Sequence, residues 1–489
     1  MLSTAIPLSR YADLPSALAS APTCLDLDCA CPVVSANVTI QVGTTLRYAG
    51  GQLQPAAGLT VNVLGPIMAP PVQIFGGGGN VLIGDQCLDE AYVEWWGAIA
   101  DGQTDAAPAI NRALASLPPY GGTVALKLAG HNYAIGSSIG IINNAANQFR
   151  RNQALWGKGH GRRGNDTGSG TCLWWTGNST DPAIRLYSRN CHLYGLTFYA
   201  RTQLAVAIDQ DAPASYNLAQ IVTANHIEKC YVSGQSGRLT FAMAFGESGC
   251  ANNEHNKMES CQFEAAAVCA IEMPNGTGQS KFVQFHDCSF TDSPAFVRVA
   301  IASPQFVDCN FSNVTPDAMG LVGPGIRFAG GSYEPVSLVR CDSESCQQFG
   351  SFGGVSQLHI EGCRFSCNAT PLTAPPLGGE YLCGSGQMSI IGCLFDGTRA
   401  GFRIRPSNEA PLFAESCDFG MTEFLPKDST SWQFISWNCA NIASGTHQYL
   451  YLCPPTQFDG TVRITPVGSP LNAPSGHDIT AQSAAGGTV

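Results

Sequence analysis

A cysteine returns along the second half of the chain in one local setting: HIEKCYV at Cys230, KMESCQF at Cys261, QFHDCSF at Cys288 and QFVDCNF at Cys309. The series continues with Cys341, Cys363, Cys393, Cys417 and Cys439, at steps of 31, 27, 21, 32, 22, 30, 24 and 22 residues. Self-similarity at such a period marks a repeat architecture, which constrains the fold before any local prediction is made. Each unit alternates apolar and polar residues, breaks at a small or polar residue, then resumes as Cys-x-Phe or close to it. Alternation of period two describes a strand with one face on a core. In FVDCNF, Phe306 should face in, Val307 out, Asp308 should break the alternation, and Cys309 and Phe311 should face in again. A break followed by renewed alternation is a corner between two short strands. Coils of about 22 residues with such corners, stacked on one another, make a solenoid of parallel strands. The expected fold is an all-β, right-handed parallel β-helix with an internal ladder of cysteines and a second of phenylalanines. Variable steps are then loops of variable length at one corner.

This reading accounts for the cysteines. The chain has 21 of them, an odd number, spaced by the coil and not by a disulfide framework. Free cysteine packs as a small buried hydrophobe. The expectation is a reduced structural ladder, made in a reducing cytosol. Cys24, Cys29 and Cys31 stand outside the ladder as a weak metal signal, and no metal site or cofactor is expected. With 25 Lys+Arg against 36 Asp+Glu the net charge is −11, which gives no support for a nucleic-acid partner. There is no run of 18 apolar residues, so no membrane insertion is expected. The N-terminus lacks the charged start and apolar core of a signal peptide.

Four segments are expected. Residues 1–32 read as an arm or anchor. Residues 33–90 read as a small β-structure of the same stacked character, where Gly76–Gly79 is a corner and not a phosphate loop. Residues 91–445 hold the β-helix, and 446–489 a terminal cap and extended tail. Within the third segment the period switches once. Ile110, Ala113, Leu114 and Leu117 form one apolar helical face, Pro108 sits at its start, and Pro118-Pro119 with Gly121-Gly122 end it. This helix, near 106–117, is expected to cap the open end of the solenoid.

The stretch EWWGAIADGQTDAAPAINRALASL, followed by GGTVALKLAGHNYAI, resembles the opening of pectate-lyase-superfamily β-helix proteins. With WWGA before it, it looks especially like bacteriophage tailspikes and capsule depolymerases. Ala106, Ala107 and Lys127 depart from that pattern. The resemblance covers about residues 30–200 by motif and reaches about 445 through the cysteine repeat. It is more specific for fold than for activity, because such folds host hydrolases, lyases and binding proteins. What it implies is a virion protein of the phage tail, assembled in the host cytoplasm. It also implies a homotrimer, a bacterial surface polysaccharide as ligand, and a phage tail or adaptor protein held through the N-terminal arm.

Chemistry is sought on the outward columns of the coil. Two residues before each corner stand Tyr194, Glu228, Glu259, His286, Val307, Val339, Glu361, Ile391, Glu415 and Trp437. Four residues before stand His226, Lys257, Gln284, Gln305, Ser337 and His359. His226, Glu228, Lys257, Glu259 and His286 should therefore meet on three successive coils. Carboxylates one coil apart lie at roughly the 5 Å spacing of a retaining glycosidase pair, which makes Glu228 and Glu259 the catalytic candidates. The alternative is that Lys257 and the histidines merely neutralise a solvated cluster. Asp342 and Arg364 are further ligand-binding candidates. Asp209 and Asp211, the NNEHN run at 252–256, Glu344 and Arg340 are weaker ones. Trp174, Trp175, Trp432 and Trp437 are candidates for stacking on sugars or for packing. No three-carboxylate cluster with an arginine, as a calcium-dependent lyase needs, is found. The expected function is recognition, and cleavage by endo-glycosidase action, of the polysaccharide. The alternatives are a non-catalytic adhesin or virion component, and a polysaccharide lyase.

Overall fold

The computed structural model describes residues 5–437, except 30–33, 85–86, 88–89, 119, 127–131, 143–151, 160–169, 178–179, 211–221, 235–236, 246–252, 274–279, 301, 320–322, 330–334, 347, 367–381, 385, 397–402, 406–411, 419–422 and 425–433. The expected C-terminal cap and tail, together with Cys31, Asp211, Trp432 and Cys439, lie outside the described residues.

Among the described residues three long sheets form the body, one of 13 strands and two of 11, and every strand pair in them is parallel. The chain visits them in turn. His226–Glu228 lies in the first sheet, Tyr231–Ser233 in the second and Leu239–Phe245 in the third, and Lys257–Glu259 then returns to the first. Parallel strands joined in this order close into a right-handed β-helix, the hand that a right-twisted strand imposes on its crossover.

The corner between the first and second sheets explains the repeat. The residue before each ladder cysteine has a left-handed backbone: Lys229, Ser260, Asp287, Asp308, Arg340, Gly362, Gly392 and Ser416 all have φ between 49° and 62°. This turn lets the cysteine and the strand after it point inward again. Cys230, Cys261, Cys288, Cys309, Cys341, Cys363, Cys393 and Cys417 are all buried. Each thiol is close to carbonyls of its own corner and of the coil below; Cys261 Sγ donates to Glu259 O and Ile227 O, both at 3.3 Å. None of the described cysteines is in a disulfide. Burial pushes the Cys191 thiol up to about 11, and hydrogen bonding to the neighbouring thiol followed by burial pushes Cys363 and Cys393 up to about 12. All eight ladder thiols are shielded by burial, which keeps reagents from them. A maleimide reagent should leave the eight ladder cysteines unlabelled in the native protein and label them on denaturation. Rapid native labelling, read by mass spectrometry, would contradict the ladder.

Phenylalanine fills the coil beside the thiols. Phe263, Phe290 and Phe311 stack on successive rungs of the second sheet, with centroids 5.5 and 5.1 Å apart and planes within 22°. Phe285 and Phe306 stack likewise from the first sheet, and meet the other column edge to face. The second-sheet column has a gap at Ser343, the register partner of Phe311 and Phe365. Phe349 fills it, edge to face with both rings at 5.5 and 5.0 Å.

The expected helix spans Ala107–Ser116 and buries Ala107, Ala109, Ile110, Ala113 and Leu114. It lies against Ile139–Ile142, the first strand of the third sheet, and against Asn80–Ile83 of the N-terminal section. That section is itself a stack of parallel strands, a sheet of four and a sheet of three. Residues 6–27, read from sequence as an arm, are folded onto it. Ile6–Pro7 pairs with Cys24–Leu27, and the helix Leu14–Ala19, capped by Asp13, buries Leu14 and Ala17 completely. One continuous apolar core runs from Leu8 to Cys417.

Candidate functional site

The outward residues of the first sheet form two columns, and strand register fixes which meet. His192, His226, Lys257 and Gln284 are consecutive partners in one column; Tyr194, Glu228, Glu259 and His286 are consecutive partners in the other. The five residues expected from sequence to meet therefore do so on three successive coils. Side chains of one face on neighbouring rungs are about 4.8 Å apart, which puts Glu228 beside Glu259.

The structure adds how each charge is held. Lys229 Nζ lies 2.9 Å from Glu228 Oε1, and His192 Nε2 lies 3.4 Å from Glu228 Oε2. Lys257 Nζ is 2.5 Å and His226 Nε2 3.2 Å from Glu259 Oε2. The Lys257 ammonium, followed by His226, holds the Glu259 carboxyl below its ordinary range despite partial burial. The His192 imidazole is pushed down by burial and by His226, against the opposing pull of Glu228, which favours its neutral form. The two imidazoles stack, with centroids 4.8 Å apart and planes at 4°. Further along, His286 Nε2 is 3.6 Å from Asp308 Oδ2, and Arg340 grips Asp308 with two hydrogen bonds of 2.7 and 2.8 Å. The arginine holds the Asp308 carboxyl below its usual range.

At the other end the columns continue into aromatic residues. Trp156, 38% exposed, packs at 5.7 Å from Tyr194 and edge-on to His192. Beside them opens a groove of about 590 Å³ lined by Trp156, Lys158, Tyr194, Lys229 and Glu90, among others. The first-to-second corner beside it is packed too closely for side chains. A Cβ on Gly157 would stand 2.3 Å from Gly195 O, and Gly195 itself has φ +63°.

Asp342 and Arg364 do not join this cluster. They are register partners on the second sheet, several coils away, because the residue after a ladder cysteine has already turned the corner. Asp209 is not at a cleft either; it is buried on the third-sheet strand Leu204–Gln210 and hydrogen-bonded to the Tyr187 hydroxyl. Asn253 and Asn256 of the NNEHN run are buried too, and with Asn225 they tie the corner that leads into the first sheet. Asn256 Oδ1 accepts from Asn225 N at 2.9 Å, and Asn225 Oδ1 accepts from Cys191 N at 2.9 Å. Trp175 is buried core, whereas Trp174 carries the Arg201 guanidinium over its ring at 3.2 Å.

His192 and Trp156 were not singled out by the sequence reading. Their coils lack the corner cysteine that sets the alignment; Leu196 occupies that place in the coil of His192 and Thr171 in the coil of Trp156. The signal was present in the spacing, since HLYGL at 192–196 matches HIEKC at 226–230.

No protein-family model and no curated protein matches the chain. Among solved structures the chain is similar to the gp42 tailspike of Acinetobacter phage vb_AbaP_AS12, at 12% identity and a TM-score of 0.52, over 78% of this chain and 67% of that one. The fold the two share is a parallel β-helix. Tailspike protein 3 of bacteriophage CBA120 is 13% identical with a TM-score of 0.36, over 80% of this chain and 65% of that one. The A-module of the Azotobacter vinelandii mannuronan C-5 epimerase AlgE6 is 14% identical with a TM-score of 0.36, over 73% of this chain and 100% of the module. At such identities the likeness establishes architecture, and activity must be argued from the site.

Proposed function

We propose that this chain is a tailspike-type receptor-binding protein of a phage virion, which holds a bacterial surface polysaccharide along the outward columns of its first sheet. The observation that carries this reading is the continuous track Trp156–Tyr194–His192–His226–Glu228–Lys257–Glu259 beside a groove, on a fold shared with a phage tailspike. A polysaccharide offers apolar ring faces and many hydroxyls. Exposed aromatic rings next to convergent charged groups are suited to both.

The proposal extends to cleavage of the glycosidic bond by Glu228 and Glu259. Glu259, kept ionised by Lys257 and His226, suits the nucleophile or base, and Glu228 suits the proton donor. A second reading, recognition without cleavage, is favoured by the same ion pairs, since each carboxylate already has a lysine partner. In either case the rods assemble as a closed trimer, and the N-terminal section, stacked on the body, faces the phage tail or an adaptor. The deciding experiment incubates the full chain with host surface polysaccharide. New reducing ends without an unsaturated-sugar chromophore mean hydrolysis. Both signals together mean a lyase, and retention on the polysaccharide without either means an adhesin. Neither binding nor cleavage, across a panel of surface polysaccharides from hosts of the phage, would overturn the proposal.

A further inference from the structure

We propose that His192, His226 and Glu228 form a binding site for a divalent transition-metal ion. Their donor atoms, an imidazole nitrogen from each histidine and a carboxylate oxygen, all lie within 4.8 Å of one another. The arrangement follows from sheet geometry. His226 and Glu228 are residues i and i+2 of one strand, so they share its outward face, and His192 is the register partner of His226 one rung away. The three donors then lie around one point above a rigid sheet, and the two imidazoles, stacked in the empty site, must turn about their Cβ–Cγ bonds for both nitrogens to face it. Two imidazoles and a carboxylate make a donor set suited to zinc, nickel or cobalt, with a fourth position left for water.

His192 Nε2 has no hydrogen-bond partner among the described residues. It is shielded from solvent, and its approach to Glu228 Oε2 at 3.4 Å falls outside hydrogen-bond geometry. An ion placed between these atoms would satisfy it. Tetrahedral ligands stand about 3.4 Å apart, so the widest pair must close by at most about 1.4 Å. Rotation about the side chains of Glu228 and the two histidines supplies that movement. The ammonium groups of Lys229 and Lys257, which now neutralise the two carboxylates, belong to side chains 49% and 40% exposed, with solvent within reach. Glu259, already 3.2 Å from His226 Nε2, stands where it can accept a hydrogen bond from water on the ion.

This inference goes beyond the polysaccharide reading and is tested with no polysaccharide present. Because the chain also has 21 cysteines, Co²⁺ is the probe, since thiolate ligation announces itself by an intense near-ultraviolet band that imidazole and carboxylate do not give. Titrating the reduced full chain should show saturable binding of one ion with weak visible bands and no thiolate band. His192→Ala and Glu228→Gln should weaken it about 100-fold or more. His226→Gln, at a side chain about one-third exposed, should do the same without disturbing the core. His286→Ala and His359→Ala, at other outward positions, should leave it unchanged. Absence of saturable binding, a thiolate band at stoichiometric Co²⁺, or binding that survives His226→Gln overturns the site. Loss of cleavage with Co²⁺ binding intact, or the reverse, keeps this inference separate from the polysaccharide reading.

Discussion

Phe290→Ala is expected to lower stability by about 3–5 kcal/mol, the range for emptying a large aromatic from a packed core. Phe290 is fully buried and its ring meets five others: Phe263, Phe285, Phe296, Phe306 and Phe311, with centroids 5.1–6.5 Å away. The stacked neighbours are pinned to rungs of fixed spacing, so they have little room to collapse into the cavity. In a solenoid each coil is stabilised mainly by the next, and the damage should therefore be local. Hydrogen exchange should accelerate most in Ser289–Ser293 and in the strands paired with it, Gln262–Glu264 and Asn310–Val314. Phe282→Ala, at an exposed ring stacked only on His255 among the described residues, should cost far less. Equal effects at the two positions would show that the internal stack is not what holds these coils together.

Glu228→Gln and Glu259→Gln are each expected to reduce polysaccharide cleavage by about 10²–10⁴-fold while leaving thermal stability nearly unchanged. Amide for carboxylate keeps shape and outward position, and both side chains are partly solvated, so the fold has little at stake. The chemistry has much at stake, since the amide can neither donate the proton nor act as the charged partner. Glu259→Gln also removes the anion that Lys257 and His226 now surround. Its effect should therefore include weaker ligand binding in proportion to the lost charge balance. Full cleavage in both variants would end the catalytic proposal and leave the cluster as a charge-balanced binding surface.

Much of this was legible in the chain because a β-helix writes its cross-section into sequence. Period-two alternation, a left-handed corner residue and a buried thiol repeat together, so FVDCNF predicts which way Phe306, Val307, Cys309 and Phe311 face, and each faces as predicted. The same columns placed Glu228 beside Glu259. Legibility failed where a coil departs from the motif. Leu196 and Thr171 in place of cysteine hid His192 and Trp156, and Ser343 in place of phenylalanine gave no hint that Phe349 would fill its space. Asp342 and Arg364 sit close to ladder cysteines in sequence, yet the corner had already carried them to another sheet.

By itself, then, the sequence determined the coil: its parallel strands, its interior of thiols and rings, and the order of residues in each outward column. Those follow from local alternation and a repeated corner, which need no knowledge of distant contacts. The tertiary structure alone decided which cation holds which carboxylate, that residues 6–27 fold onto the first coils, and that two histidines 34 residues apart stack face to face. These depend on side-chain rotamers and on how loops of unequal length restore the register, and both are settled only when one coil is laid on the next.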